Sequence, residues 1–406
     1  MREYPKVTIT QKGERALRGG HPWVYEGEIL ETETGVTDGE IVDVVSQKGR
    51  WLGAGYYNSA SRIRVRVISR NTNDRFDEDF YARRVRYALD YRRTVMGGDY
   101  ACCRLIFGEA DRFPGLTVDR FGDILVTEVL SLGTERVKDW IYRALVDCLA
   151  ADGAAISAIY ERNESALREK EGMTPGKGFY TMSGLRTDLS GLTTITENGL
   201  KYTVDYINGQ KTGFFLDQKY NRAAVARLAA GRKVLDCFTH TGAFALNAAA
   251  GGAASVTAVD ISASALETAG ENAALNGLEQ KIRFQKADVF DYLTELAVGP
   301  RGLFDYIILD PPAFTKSSAT VEAAYRGYKE INLKAMKHLP RGGYLATCSC
   351  SRFMTDENFR RMLADAAADA DVSLRQVENR RQSPDHPILW GVPETEYLKF
   401  YIFQVV

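Results

Sequence analysis

The 406-residue chain carries 52 basic and 53 acidic side chains, for a net charge of −1, and 45% of its residues are hydrophobic. That balance excludes a globally basic nucleic-acid binder, while length and hydrophobic share suffice for two or three domains with cores of their own. The opening MREYPKVTIT has no apolar leader core and no run approaches the ~20 apolar residues of a membrane span, so a cytoplasmic protein without a membrane partner is expected.

Residues 1–72 hold short β-rich runs split by glycines (VTIT, EIVDVVS, RWLGAGYYN, RIRVRVISR), the pattern of a small antiparallel barrel or sandwich. Alternation in the last run puts Arg62, Arg64 and Arg66 on one face and Ile63, Val65 and Val67 on the other. The basic face suits either RNA phosphates or plain solvation. Across residues 1–75 the balance is 12 basic minus 10 acidic, or +2, which decides nothing.

Residues 73–190 open with FDEDFYARRVRYALDYRRTV, a helical pattern with Phe80, Val85, Ala88 and Leu89 inward and Arg83, Arg86, Arg92 and Arg93 outward. Two strand-like runs flank Phe121-Gly122-Asp123, and TERVKDWIYRALVDCLA reads as a second helix with Cys148 on its core face. From 191 to 406 strands alternate with helices: KVLDCF, SVTAVD, KIRFQKAD, FDYIILD and GYLATCSC. Such alternation builds a parallel sheet covered on both faces.

Four of these strands end in a carboxylate: Asp236, Asp260, Asp288 and Asp310. In a parallel sheet the carboxyl ends of the strands form one rim where ligands bind. One such aspartate could be a helix cap, but four in succession imply a ligand. The loop DCFTHTGAF has only Gly242, too few glycines to cradle a pyrophosphate, so nicotinamide and flavin dinucleotides are disfavoured. A cationic, phosphate-free nucleoside, S-adenosyl-L-methionine, fits the acidic rim, with Asp260 spaced 260 − 236 = 24 residues on to take ribose hydroxyls. The turn Asp310-Pro311-Pro312-Ala313-Phe314 displays an acceptor and an aromatic face beside that crevice, as an unstacked planar base requires.

The six cysteines lack the paired spacing of zinc ribbons, so no metal is expected. Cys348 and Cys350 share one face of the fifth strand, with Cys350 nearer the rim. A thiolate there could add to C6 of cytosine and make C5 nucleophilic. Cys348 suits inert packing.

At this point the chain resembles the large-subunit (23S) ribosomal RNA cytosine-C5 methyltransferases that carry an N-terminal PUA domain. The likeness is carried by HPWVY, FGEADRFPGLTVDRFGD, YERNESALRE, GQKTGFFLDQKYNR, DCFTHTGAF, DPPAF, YRGYKEINLKA, SCS at 349–351 and SPDHP. It implies an α/β fold: a PUA-like RNA-binding β-barrel (1–72), a small mixed α/β middle domain (73–190) and a Rossmann-like class I methyltransferase domain (191–406). By the same resemblance Cys350 is the nucleophile. Gln218 and Arg222 pack over the methionine end of the cofactor, and Asp236 and Phe238 lie by its first loop. Asp260 holds the ribose, Asp288 the adenine, and Asp310 the flipped cytosine, as well as lining the cofactor crevice. Phe314, Lys329 and His386 are RNA or active-site contacts. The partner is large-subunit ribosomal RNA, and a homodimer is allowed. The DPP turn lacks the second cysteine that some relatives use to release the product, so no residue is named for removing the C5 proton. Two rival readings stay open: methylation of a ring or exocyclic nitrogen, as in guanine, which needs no thiol, and a non-catalytic RNA-binding assembly factor.

Overall fold

The computed structural model describes residues 4–406 and divides into two compact units. The first comprises the chain to Ile195 with Val204–Leu216 and Pro384–Thr395; the second comprises Thr196–Thr203, Asp217–Ser383 and Glu396–Val406. Residues 191–195, 204–216 and 384–395 thus group with the first unit.

In the first unit, β1 (Lys6–Ile9), β2 (Trp23–Tyr25), β3 (Ile29–Thr32), β4 (Ile41–Ser46), β5 (Trp51–Tyr57) and β6 (Ile63–Ser69) form one sheet in the order β2-β6-β5-β4-β1-β3. All its pairings are antiparallel except β1 with β4. Helix α1 (Gln11–Arg18), capped by the Thr10 hydroxyl, adds Leu17 to a core of Val7, Ile9, Val24, Val42, Val44, Val65 and Val67. Alternate residues of β6 therefore face inward, as its period demands.

Helix α2 (Glu78–Met96) starts at Asp77, whose side chain accepts from the Phe80 amide, and precedes a second sheet. That sheet contains β7 (Cys102–Phe107), β8 (Leu116–Phe121), β9 (Ile124–Val129), β10 (Ala158–Asn163) and β11 (Gly176–Phe179), with α3 (Leu132–Ala151) linking β9 to its parallel neighbour β10. Arg92 is not on the outer face of α2, as its helical position suggests, but fully buried. Its guanidinium is bidentate to Asp111 at 2.5 and 2.7 Å and also donates to the carbonyls of Arg104 and Asp385. Every one of those partners is distant in sequence. Cys148 sits half-buried at the margin of α3 rather than in its core.

The chain crosses between the units within the hairpin β12 (Leu192–Glu197) and β13 (Leu200–Asp205). In the second unit, after α4 (Lys219–Leu228), β14 (Lys233–Cys237), β15 (Ser255–Asp260), β16 (Ile282–Lys286), β17 (Tyr306–Leu309) and β18 (Tyr344–Ser349) run parallel. Their connecting helices are α5 (Ala243–Ala250), α6 (Ala263–Leu275), α7 (Val289–Val298) and α8 (Val321–His338); α9 (Asp356–Asp369) then leads to β19 (Leu374–Arg380). The closing strand β20 (Lys399–Val405) inserts antiparallel between β18 and β19, giving the order β16-β15-β14-β17-β18-β20-β19. Such an order places a topological switch between β14 and β17, where their carboxyl ends part to leave a crevice. Among the described residues no helix is long and apolar enough to cross a membrane.

Candidate active site

The crevice is built from the carboxyl ends of β14, β15, β17 and β18. Strand β14 carries Asp236, completely buried, with Oδ2 accepting from the Thr239 hydroxyl at 2.5 Å. Its Oδ1 has no hydrogen bond from another described residue. Burial drives the Asp236 pKa up to about 7; the Thr239 bond and the nearby Ala245 amide oppose that rise, and the carboxylates of Asp310 and Asp260 add to it. The loop that follows turns tightly through left-handed backbone at Phe238 (φ 61°), His240 (φ 50°) and Gly242 (φ 82°). Non-glycine residues in that region carry strain and mark sites where the backbone is shaped for a purpose. The His240 amide donates to Asp260 Oδ2, and the other oxygen of Asp260 takes the Ser262 amide, both at 2.9 Å. Burial lowers the His240 pKa, which keeps the imidazole neutral.

Asp288 is exposed and caps α7, accepting from the amides of Phe290 and Asp291. Capping and ligand binding are compatible here, because only Oδ1 is engaged by these two amides. With four carboxylates, no phosphate-cradling glycine run and a buried acceptor lacking a donor at Asp236, the residues fit a cationic, phosphate-free nucleoside.

At the switch, Asp310 Oδ1 accepts from the Gln218 amide at 3.2 Å and from the Cys348 thiol at 2.9 Å. Asn221 in turn donates to the Gln218 carbonyl oxygen at 2.7 Å, which fixes the orientation of that amide. Cys348 is 1% exposed, and burial, reinforced by the Asp310 carboxylate, raises its pKa well above the ordinary thiol range. It therefore stays a neutral donor, more engaged than the inert packing expected of it. Cys350 lies just past the last residue of β18 and is half-buried.

Two groups that sequence reasoning missed surround Cys350. Lys399, at the start of β20 and opposite Ser349, is 3% exposed, and its ammonium donates to the carbonyls of Ser351 at 2.7 Å and Tyr397 at 2.8 Å. Burial pulls its pKa down to about 8, against the upward pull of the Cys350 sulfur and of Asp356. Tyr328 of α8 hydrogen-bonds Ser349 and Ser351, each at 3.0 Å, and packs its ring 4.5 Å from that of Phe314. The signal for Lys399 was a single lysine in the otherwise apolar strand LKFYIFQVV; Tyr328 gave none beyond its place in YRGYKEINLKA.

Other expected residues are engaged elsewhere. Arg222 is buried in a bidentate pair with Glu197 at 2.6 and 2.8 Å, tying α4 to the hairpin. Lys329 pairs with Asp369 at 2.7 Å. His386 belongs to the first unit, 2% exposed, bonded to Asp385 at 2.9 Å and 5.4 Å from the Phe107 ring. The basic face expected on β6 is not free. Arg66 is buried in a pair with Glu171 at 2.8 Å, Arg64 pairs with Glu26 and donates to the Ser59 carbonyl, and Arg62 stands exposed just before the strand.

A mostly parallel sheet with this switch-point crevice and acidic rim fits the class of S-adenosylmethionine-dependent methyltransferases. The family model of that description matches residues 181–403, and a PUA-like domain model matches residues 7–70. The chain is 42% identical to Ribosomal RNA large subunit methyltransferase I of Shewanella denitrificans over 98% of its own length and 99% of that protein. It is 38% identical to the Klebsiella pneumoniae (strain 342) protein of the same name, over 99% of both chains. The chain belongs to this family of PUA-containing S-adenosylmethionine-dependent methyltransferases. A protein from Streptococcus mutans described as a SAM-dependent methyltransferase shares the fold, with TM-score 0.81 and 21% identity over 98% of this chain and all of that one. A methyltransferase structure complexed with SAH superposes with TM-score 0.82 over the same shares of the two chains.

S-adenosylmethionine is the cofactor, and the state of Asp236 makes a prediction about it. If the cationic end of the cofactor is held beside this carboxyl, it favours the ionised form, and below about pH 7 binding would expel a proton. Affinity is expected to weaken on acidification, approaching about tenfold per pH unit, because one proton is coupled. Calorimetry across that range checks it; Asp236→Asn should bind more weakly and lose the dependence. Equal wild-type affinity on both sides of neutrality would contradict it.

Proposed function

We propose that the protein methylates C5 of a cytosine in large-subunit ribosomal RNA, with Cys350 as a covalent nucleophile. What carries the reading is one juxtaposition: a half-buried thiol at the rim beside a buried ammonium, while the neighbouring thiol is withdrawn into a bond with Asp310. A methyltransferase acting on nitrogen has no use for such a pair.

In this mechanism the PUA-like domain (1–72) grips the RNA, and the target cytosine is turned out of its stack toward the DPPAF turn. Asp310, oriented by Gln218, accepts from the exocyclic amine, and Phe314, seated on Tyr328, offers an apolar face to the ring. The Lys399 ammonium favours the Cys350 thiolate, which adds to C6; the C5–C6 electron pair moves to C5 and makes that carbon nucleophilic. S-adenosylmethionine supplies the methyl group. Loss of the C5 proton then regenerates the C5–C6 double bond as the C6–S bond breaks, and the electrons return to the thiolate.

The test is product identity. Large-subunit RNA treated with the protein and isotopically labelled S-adenosylmethionine is digested to nucleosides and resolved by mass spectrometry. Label in 5-methylcytidine supports the reading; label in an N-methylated guanosine would replace it, and absence of any label would favour a non-catalytic RNA-binding role.

A further inference from the structure

With Arg64 and Arg66 committed to internal pairs, other guanidiniums of the first unit are left to meet an anion; Arg84 among them also donates to the Ile68 carbonyl at 3.1 Å. Arg70 follows the last residue of β6, Arg84 projects from α2, and Arg112 stands after the turn at 108–111 in left-handed backbone, φ 62°. The carboxylates nearby are already spoken for. Asp74 bonds Arg83 at 3.1 Å and reaches Arg84 only at 4.0 Å, while Asp111 is held by the buried Arg92. Among the described residues, no carboxylate bonds Arg70 or Arg112. Burial and the two neighbouring guanidiniums lower the pKa of Arg112, and burial lowers those of Arg70 and Arg84. Three like charges crowded together are costly without a counter-charge.

Arg84 and Arg112 line a cavity of about 280 Å³ together with Tyr87, Tyr91 and Asp111, among others, and Arg70 lies outside that lining but close enough to Arg112 to act on its charge. Tyr91 is fixed there, its hydroxyl donating to the Pro384 carbonyl at 3.0 Å and its ring 5.1 Å from the Arg92 guanidinium. Tyr87 is 59% exposed, unusual for a large aromatic side chain. Cations that track a phosphodiester chain beside an exposed ring form the arrangement that binds single-stranded nucleic acid, because each nucleotide offers one phosphate and one π-face.

We propose that this cleft is an RNA-binding site in which Arg70, Arg84 and Arg112 take backbone phosphates and Tyr87 stacks on a base. It rests on the reading that the substrate is RNA, and adds where the first unit holds it.

The test measures the affinity of the full-length protein for a large-subunit ribosomal RNA transcript by filter binding over a series of salt concentrations. The Arg70→Gln/Arg112→Gln double variant should bind about tenfold or more weakly at low salt. Its log–log salt slope should be shallower by roughly 1.5, since each lost phosphate contact removes ~0.7–0.9. Tyr87→Ala should lose several-fold affinity with its slope unchanged, because stacking releases no counterions. Melting temperature and S-adenosylmethionine affinity should stay at wild-type values in all variants. Wild-type affinity and slope in both variants would overturn the proposal. Failure of the wild-type protein to show salt-dependent RNA binding at all would overturn the RNA-substrate reading itself.

Discussion

Cys350→Ala is expected to lower methyl transfer to RNA by about four orders of magnitude or more, the scale seen when a covalent nucleophile is removed, with S-adenosylmethionine affinity unchanged. The separation follows from the geometry. Asp236, the buried carboxyl proposed for the cofactor, is on β14, whereas Cys350 is beyond the end of β18. Cys348→Ala makes the contrast. It removes a donor from Asp310 and leaves a small space in a packed strand end, so its expected cost is a loss of ~10- to 100-fold, in line with one hydrogen bond to a charged acceptor. Steady-state kinetics of the two variants decide between the thiols. A larger loss from Cys348→Ala than from Cys350→Ala would reverse the assignment.

Lys399→Met is expected to give the second largest effect. Its ammonium is buried, bonded only to neutral carbonyls by the described contacts, and in electrostatic range of the Cys350 sulfur. An opposite charge at such range shifts a thiol by about 1–3 pKa units. Removing it should move Cys350 alkylation to higher pH and reduce turnover near neutrality by roughly tenfold or more. The readout that a merely structural lysine would not move is the pH profile of Cys350 alkylation by iodoacetamide, followed by peptide mass mapping so that the other cysteines do not confuse it. The wild type should lose its lysine assistance as pH rises through about 8, because the cationic form exists only below that value. Lys399→Met should show no such alkaline limb, and Lys399→Arg should keep the alkylation profile close to that of the wild type below about pH 8. Identical alkylation profiles in wild type and Lys399→Met would remove Lys399 from the mechanism while leaving the Cys350 assignment standing.

Legibility of the sequence divides along the distance between interacting residues. The alternation that predicts strands β14 to β18 is local, and so is the placement of Asp236, Asp260, Asp288 and Asp310 at their ends. The cap made by Asp288 is local too, which is why its two readings could not be separated by sequence alone. The errors are non-local. Arg92 looks solvent-facing by helical period, but its counter-ion Asp111 lies 19 residues on, outside the helix. Arg66 looks displayed until Glu171, 105 residues away, closes over it. Charged groups are buried only when paired, and period-2 or period-3.6 patterns carry no information about the partner. Lys399 was missed for the same reason, since its relation to Cys350 exists only because β20 inserts antiparallel beside β18.

In the proposed mechanism catalysis passes through a bond between Cys350 and the cytosine ring. The most direct measurement mixes the protein and S-adenosylmethionine with large-subunit RNA containing 5-fluorocytidine, in which fluorine replaces the C5 proton that must leave. The account predicts a denaturant-stable protein–RNA adduct whose mass maps to Cys350 and which is absent from Cys350→Ala. Methyl transfer to the RNA from radiolabelled cofactor with no adduct would contradict it.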